Sequence, residues 1–235
     1  MIAAIHQPNF LPWLGYFYKM MKADVFVFLD SVPFSKGGYT NRVKIKSNII
    51  GPKWLTVPVC TKGKLGQLIK DVRCSHIDWR EKIDQVIRFN YSRCPWFEDH
   101  WMNLFDIMCR VDSDNLSHMN HLLIDYIATE LDIQTLLWHD HDFAVEGKST
   151  ELLINICKKL KADTYLSGSG GTDYQDEKAF SNAGIKLIYS DFKHPTYSQV
   201  PYNYCSFISG LSAVDLLFNY GSDSASILRG EANGK

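Results

Sequence analysis

Residues 25–29 read Val-Phe-Val-Phe-Leu, a run that is apolar on both faces of any strand it forms. Such a strand must be covered above and below, as strands are inside a parallel sheet flanked by helices. A partner precedes it. Ile2 to Ile5 reads as a short buried strand running straight into the loop His6-Gln7-Pro8-Asn9. Between the two, Leu11 to Lys22 reads as a helix, with Leu14, Phe17, Tyr18 and Met21 at three- and four-residue spacing. The opening of the chain therefore predicts a β-α-β unit.

The same alternation returns near the other end. Gln134 to Trp138 predicts a strand, Ser149 to Leu160 a helix and Thr164 to Leu166 a strand that opens into Ser167-Gly168-Ser169-Gly170-Gly171. Asp173 to Ala183 predicts a helix stopped by Gly184, followed by a strand at Ile185 to Tyr189. Between the two halves, Trp54 to Val59 reads as a strand, with Pro58 placing it at an edge or an end. Asp78 to Leu131 reads as three helices, Asp78 capping the first and Pro95 parting it from the second. Leu211 to Asn219 reads as the last helix, with a frayed tail from Ser222. The fold class that follows is α/β: one domain over 1–235 with a doubly wound, mostly parallel, Rossmann-like sheet. Residues 78–131 form a helical insertion or subdomain.

Composition narrows the function classes. Hydrophobic residues make up 46% of the 235-residue chain and the formal net charge is -1, which argues against nucleic acid or an anionic membrane as the main partner. No stretch approaches the ~20 apolar residues of a membrane span. The N-terminus has no basic leader before an apolar run, so the expected location is the cytoplasm. The cysteines Cys60, Cys74, Cys94, Cys109, Cys157 and Cys205 form no C-x-x-C pair and read as small hydrophobes in a reducing compartment.

In open α/β sheets ligands sit at the carboxyl ends of the strands. Two loops fall there, His6–Asn9 and Ser167–Gly171. In the first, His6 follows its strand directly, Gln7 and Asn9 bring amides, Pro8 and Pro12 stiffen the path, and Tyr16 enters the helix. In the second, Ser167, Gly168, Ser169 and Gly170 before a helix suit an anion, although neither named nucleotide fingerprint is present in that loop. Asp173, Tyr174 and Asp176 follow. Asp173 could cap the helix and Asp176 could suit its dipole in the first turn, or either could bind a hydroxyl, an ammonium or Mg²⁺. Asp30 ends its strand where sheet ligands sit. Lys36, Asn41, Arg42 and Lys44 lie in a basic stretch whose arginine could fork a diphosphate, or whose alternating charges could simply be solvated. His118 and His121 share a helix, and His139-Asp140-His141-Asp142 is dense in ligand types, but no third ligand is evident and no metal is assigned.

The run from His6 to Phe17, His-Gln-Pro-Asn-Phe-Leu-Pro-Trp-Leu-Gly-Tyr-Phe, strongly resembles the opening motif of the WbqC-like family. The resemblance continues through Asp24–Asp30, Ser35–Gly38 with Asn41-Arg42, Trp54–Val59 and Tyr165–Gly168. It closes with His194-Pro195-Thr196-Tyr197-Ser198-Gln199 and Leu211–Asn219, covering almost the whole chain in order. It implies a place in bacterial O-antigen and related surface-glycan biosynthesis, with transfer of glycine to an amino sugar proposed for one branch. The first unit also looks distantly like the nucleotidyltransferase and pantothenate-synthetase superfamily. The H-x-G-H of that group is replaced here by Trp13-Leu14-Gly15-Tyr16.

Together these point to acylation of the amine of a UDP- or dTDP-linked amino sugar, with ATP and Mg or an acyl thioester supplying the donor. His6 is the candidate base, since an imidazole ordinarily titrates near neutrality. Asp173 and Asp30 are its candidate catalytic companions. Gln7, Asn9, Tyr16, Lys36, Asn41, Arg42, Lys44, Ser167, Gly168, Ser169, Gly170, Tyr174, Asp176, His194, Tyr197 and Gln199 are the candidate ligands of substrate and phosphate. A nucleotidyltransferase with Mg²⁺ and a non-catalytic scaffold are the alternatives. The scaffold would show an exposed aromatic patch at Trp79, Trp96, Phe97 and Trp101, residues that otherwise read as packing core. A homodimer stays open.

Overall fold

The computed structural model describes residues 1–49, 51–75, 78–110, 114–173, 175–200 and 207–231, with the side chains of Thr172 and Asp173 left aside. Tyr174 and Cys205, and the side chain of Asp173, thus lie outside the described residues. The chain forms two compact units.

The first unit comprises Met1–Gln7, Gly15–Val32 and Ile133–Lys193. Its strands are β1 (Ile2–His6), β2 (Val25–Phe28), β5 (Leu136–His139), β6 (Thr164–Ser167) and β7 (Lys186–Tyr189). They form one sheet in the order β5-β2-β1-β6-β7, every pair parallel. The chain works outward from β1 to one side and then returns to the other, so the order reverses between β1 and β6. Helix α1 (Leu14–Met21) covers one face, where Tyr16 meets Phe26 at 5.3 Å between rings. Helix α5 (Ser149–Leu160) and helix α6 (Glu177–Asn182) cover the other. There Leu152, Ile156 and Phe180 pack with Ala3, Ile5, Val25, Val27 and Tyr165. Burial on both faces is what β2 required: all four of its residues are buried. The sheet is the predicted doubly wound α/β architecture.

Some boundaries differ from expectation for stated reasons. Helix α1 begins at Leu14 rather than Leu11, because Pro12 disfavours the helical region for the residue before it. Leu11 takes φ 42, a rare value for a bulky side chain. Helix α6 begins at Glu177 rather than Asp173, since Ser169–Asp173 winds as a 3-10 turn and Asp176 caps the helix through Ala179 N at 3.0 Å.

The second unit comprises Pro8–Leu14, Pro33–Asp132 and His194–Lys235. It holds the antiparallel pair β3 (Arg42–Lys46) and β4 (Pro52–Thr56) and helices α2 (Trp79–Tyr91), α3 (Phe97–Arg110), α4 (Leu116–Glu130), α7 (Val214–Tyr220) and α8 (Ser224–Arg229). The predicted middle helices are all present. Trp79, Phe97 and Trp101 are buried, and Trp101 meets Phe97 and Phe218 and donates from Nε1 to Asp84 at 2.7 Å. These aromatics are core, and of the expected patch only Trp96 is exposed. The chain beyond Ser222 is not frayed through Arg229. It forms α8, whose Arg229 pairs with Asp132 at 2.6 Å. Among the described residues, no helix is long and apolar enough to cross a membrane.

Candidate functional site

At the carboxyl ends of β1 and β2 in the first unit lies a cavity of about 440 Å³. Ile5, Leu29, Val32, Leu152, Leu153 and Tyr165 form its apolar floor. His6, Gln7, Ser149, Thr150 and Gln175 supply the polar groups. The position follows from the topology: β1 adjoins the point where strand order reverses, and the loops there diverge and leave a crevice.

His6 ends β1 and is held from behind. The Tyr16 ring meets it edge-on at 4.7 Å, and the Tyr16 hydroxyl donates to Gln7 O at 3.2 Å. His6 Nδ1 lies 3.1 Å from the same carbonyl. A carbonyl only accepts, so Nδ1 carries the proton and Nε2 keeps its lone pair. Burial, assisted by the charge of Lys19, pushes the imidazole down to about 3. The expectation of a base titrating near neutrality is corrected by this: His6 is a neutral ring throughout the physiological range.

Lys19 is buried on α1, donates to Ile5 O at 3.0 Å and lies over the Phe26 ring. Burial lowers its ammonium to about 7.

The rim includes a feature the sequence reading passed over. Gly147-Lys148-Ser149-Thr150 opens α5, and Ser149 and Thr150 line the cavity. This is the end of a phosphate-loop pattern with Asp142 where its first glycine belongs, which is why the full motif is not met. The signal was readable as G-K-S-T at a helix start.

The serine-glycine loop is placed differently from expectation. Ser167, Gly168, Ser169 and Gly170 do not line the cavity. Gly171 N donates to Gly168 O, closing the turn, and a Cβ at Gly171 would fall 2.1 Å from Ser167 Oγ. Asp176 is occupied as the α6 cap. Asp30 is buried beyond the end of β2, beside Asp140 and His141.

The remaining candidates belong to the second unit. Asn9 is buried. Asn41 donates to Val57 O at 2.8 Å, fixing the entry to β3. Arg42 stacks on Trp54, 4.2 Å from the ring, and a guanidinium nitrogen donates to Gly37 O. Lys44 lies 5.5 Å from the same ring. With Tyr39 and Trp54 about 40% exposed and 5.5 Å apart, the hairpin presents a basic and aromatic face. Lys36 is exposed and lines a lysine-rich hollow with Lys62 and Lys64. The alternating charges of β3 are not all solvated: Lys46 is buried and donates to Gln199 O at 2.5 Å. His194 donates from Nδ1 to Pro195 O at 2.9 Å. Tyr197 and Gln199 are buried and both donate to Asp215 Oδ1, at 3.4 and 3.1 Å. These last two anchor the segment before α7. Burial raises the Asp215 carboxyl to about 7, against the pull of Lys46 and those hydrogen bonds.

Asn120 emerges only from the tertiary structure. Fully buried on α4, its amide nitrogen donates to Pro8 O at 2.9 Å and Thr40 O at 2.8 Å. Asn120→Ala removes the donor shared by two backbone acceptors. The expected cost is about 2 kcal/mol, read from the shift of the urea midpoint at unchanged slope. A loss below ~0.5 kcal/mol would mean that the segment after Gln7 does not depend on this amide.

The family model for the WbqC-like protein family matches residues 7–227. An uncharacterized protein of Mycobacterium tuberculosis is 33% identical over 227 residues, covering 96% of each chain. No solved structure matches.

Proposed function

The chain belongs to the WbqC-like protein family, and on that premise we propose that it is an enzyme of bacterial surface-glycan biosynthesis. In this reading it builds an amide on the amine of a nucleotide-linked amino sugar, with glycine as the candidate acyl group. The observation that supports it best is the cavity beside His6, whose lining, among the described residues, contains hydrogen-bonding groups and no charged side chain.

Amide formation joins the amine nitrogen to the carbonyl carbon of an activated donor, an acyl adenylate made from ATP with Mg or an acyl thioester. The bond from the carbonyl carbon to AMP or to the thiolate sulfur breaks, and the nitrogen's proton passes to that leaving group or to water. The nitrogen must enter uncharged. A cavity with an apolar floor and no carboxylate penalises an ammonium and favours the free amine. His6 Nε2, kept as an acceptor by the Nδ1 contact to Gln7 O, is suited to orient an amine N–H. This role needs no standing base of neutral pKa. The first turn of α5, with Ser149 and Thr150, is suited to the developing oxyanion, because a helix N-terminus carries partial positive charge. Among the described residues the cavity's lining offers no cation for a triphosphate, which favours the acyl thioester over ATP as donor and weighs against a nucleotidyltransferase alike.

The test is thermal stabilisation by UDP- and dTDP-linked amino sugars, alone and with ATP and Mg²⁺ or an acyl thioester, followed by mass detection of the amide. His6→Ala should then lower turnover about 100-fold while changing the Michaelis constant little. Full turnover in that variant would remove His6 from the reaction. Pyrophosphate release from a nucleoside triphosphate and a sugar phosphate, without amide, would replace the reading with the nucleotidyltransferase.

A further inference from the structure

The sheet of the first unit brings Asp30 together with two ligand-type side chains far from it in sequence, the adjacent Asp140 and His141. Strands β2 and β5 are parallel neighbours, with Phe28 opposite His139. Asp30 therefore leaves the end of one strand beside Asp140 and His141, which leave the end of the other. His141 Nδ1 lies 3.5 Å from Asp30 Oδ1 and 3.9 Å from Asp140 Oδ1, and all the donor atoms fall within 4.8 Å of one another. Ligands about 2.1 Å from a tetrahedral metal stand roughly 3.4 Å apart, so this spacing closes around an ion with small adjustments.

A second observation, independent of the cluster, comes from Asp140. Its side chain is 1% exposed. Oδ2 accepts from the Ser31 backbone N–H at 3.1 Å and from the Ser31 hydroxyl. Oδ1, on the side of His141, accepts no hydrogen bond from any described residue. A buried carboxylate oxygen without a donor is costly unless a cation faces it. Ser31 fixes the carboxylate's orientation, as supporting hydrogen bonds do at metal sites. The His139 ring stacks on His141 at 5.0 Å and 26°, restricting the imidazole.

We propose that Asp30, Asp140 and His141 bind one first-row divalent cation, of the Mn²⁺ or Zn²⁺ class. Two carboxylates balance the ion's charge. The imidazole nitrogen favours a transition ion over Mg²⁺ or Ca²⁺, which prefer oxygen alone. His141 is 49% exposed, so the open side of the ion is left to water or to a substrate oxygen. The proposal does not depend on the acyl-transfer reading, because it concerns binding of the metal itself.

The test uses the full chain stripped with chelator and titrated with Mn²⁺, followed by the loss of the free-ion electron paramagnetic resonance signal. Zn²⁺ is titrated calorimetrically in parallel. One equivalent should bind with a dissociation constant in the micromolar range. His141→Ala, at a half-exposed position, and Asp30→Asn should each weaken binding at least about 10-fold. His118→Ala, an exposed histidine on α4, should leave it unchanged. Circular dichroism confirms that the variants are folded. Absence of binding by either ion up to millimolar concentration would overturn the proposal and leave His141 as an ion-pair partner of the two carboxylates. Binding that survives both ligand substitutions would overturn it equally.

Discussion

Gly221→Ala is expected to destabilise the protein by about 3–5 kcal/mol, the sum of a steric and a conformational cost. Gly221 closes α7 with φ 50 and ψ -124, a combination essentially reserved for glycine. A Cβ there would also fall 2.4 Å from Trp96 Cδ2 and 2.8 Å from Cγ and Cε2. The Trp96 backbone cannot easily retreat, because its N–H donates to Phe218 O at 3.0 Å. For a chain of this size the loss corresponds to a fall of roughly 10 °C in melting temperature. In the double variant with Trp96→Ala the steric part should vanish, leaving only the backbone strain. If the single variant melts within a degree or two of the parent, the close approach of glycine and ring is wrong.

The second large effect is a pH dependence carried by Lys19. Its ammonium falls from 10.5 to about 7 on folding, so between those values the unfolded chain binds more protons than the folded one. Stability from this group is therefore complete above pH 10.5 and is lost as pH falls toward 7. The span is on the order of 5 kcal/mol. Lys19→Met should abolish that slope. Urea unfolding of parent and variant at intervals from pH 6 to pH 10 isolates the term, apart from a contribution at the acid end from His6, whose protonation Lys19 also disfavours. The variant's advantage should be largest at the acid end and shrink by several kcal/mol toward the alkaline end. A difference constant with pH would show that Lys19 stays charged in the folded protein. His6 and Asp215 act lower on the scale. Stability from His6 is lost as pH falls from 6.5 toward about 3, and stability from Asp215 is lost as pH rises from 3.8 through about 7.

Much of the architecture could be read residue by residue. Val25 to Phe28 had to be interior, the β-α-β opening followed from it, and the helices after Asp78 showed in their apolar spacing and the break at Pro95. The start of α1 is legible too, since Pro12 disfavours a helical Leu11. The family was equally legible in the His-Gln-Pro-Asn loop and the motifs after it, and the family model matches residues 7–227.

Other properties depend on which strand lies beside which. Periodicity marks where β2 and β5 begin and end, but only their parallel pairing puts Asp30 next to His141, residues far apart along the chain. Nothing local to Lys46, Tyr197 or Gln199 shows that they are buried, for their chemistry suits a solvated face as well as an anchor. The protonation of His6 is decided the same way. An imidazole has one intrinsic affinity for a proton, and the packing of Tyr16 and the nearby charge of Lys19 set what the folded protein makes of it. Sequence determined the elements and the family here, because both rest on local pattern. Burial, pairing and charge were decided by tertiary structure, because they are sums over neighbours that the order of residues does not name.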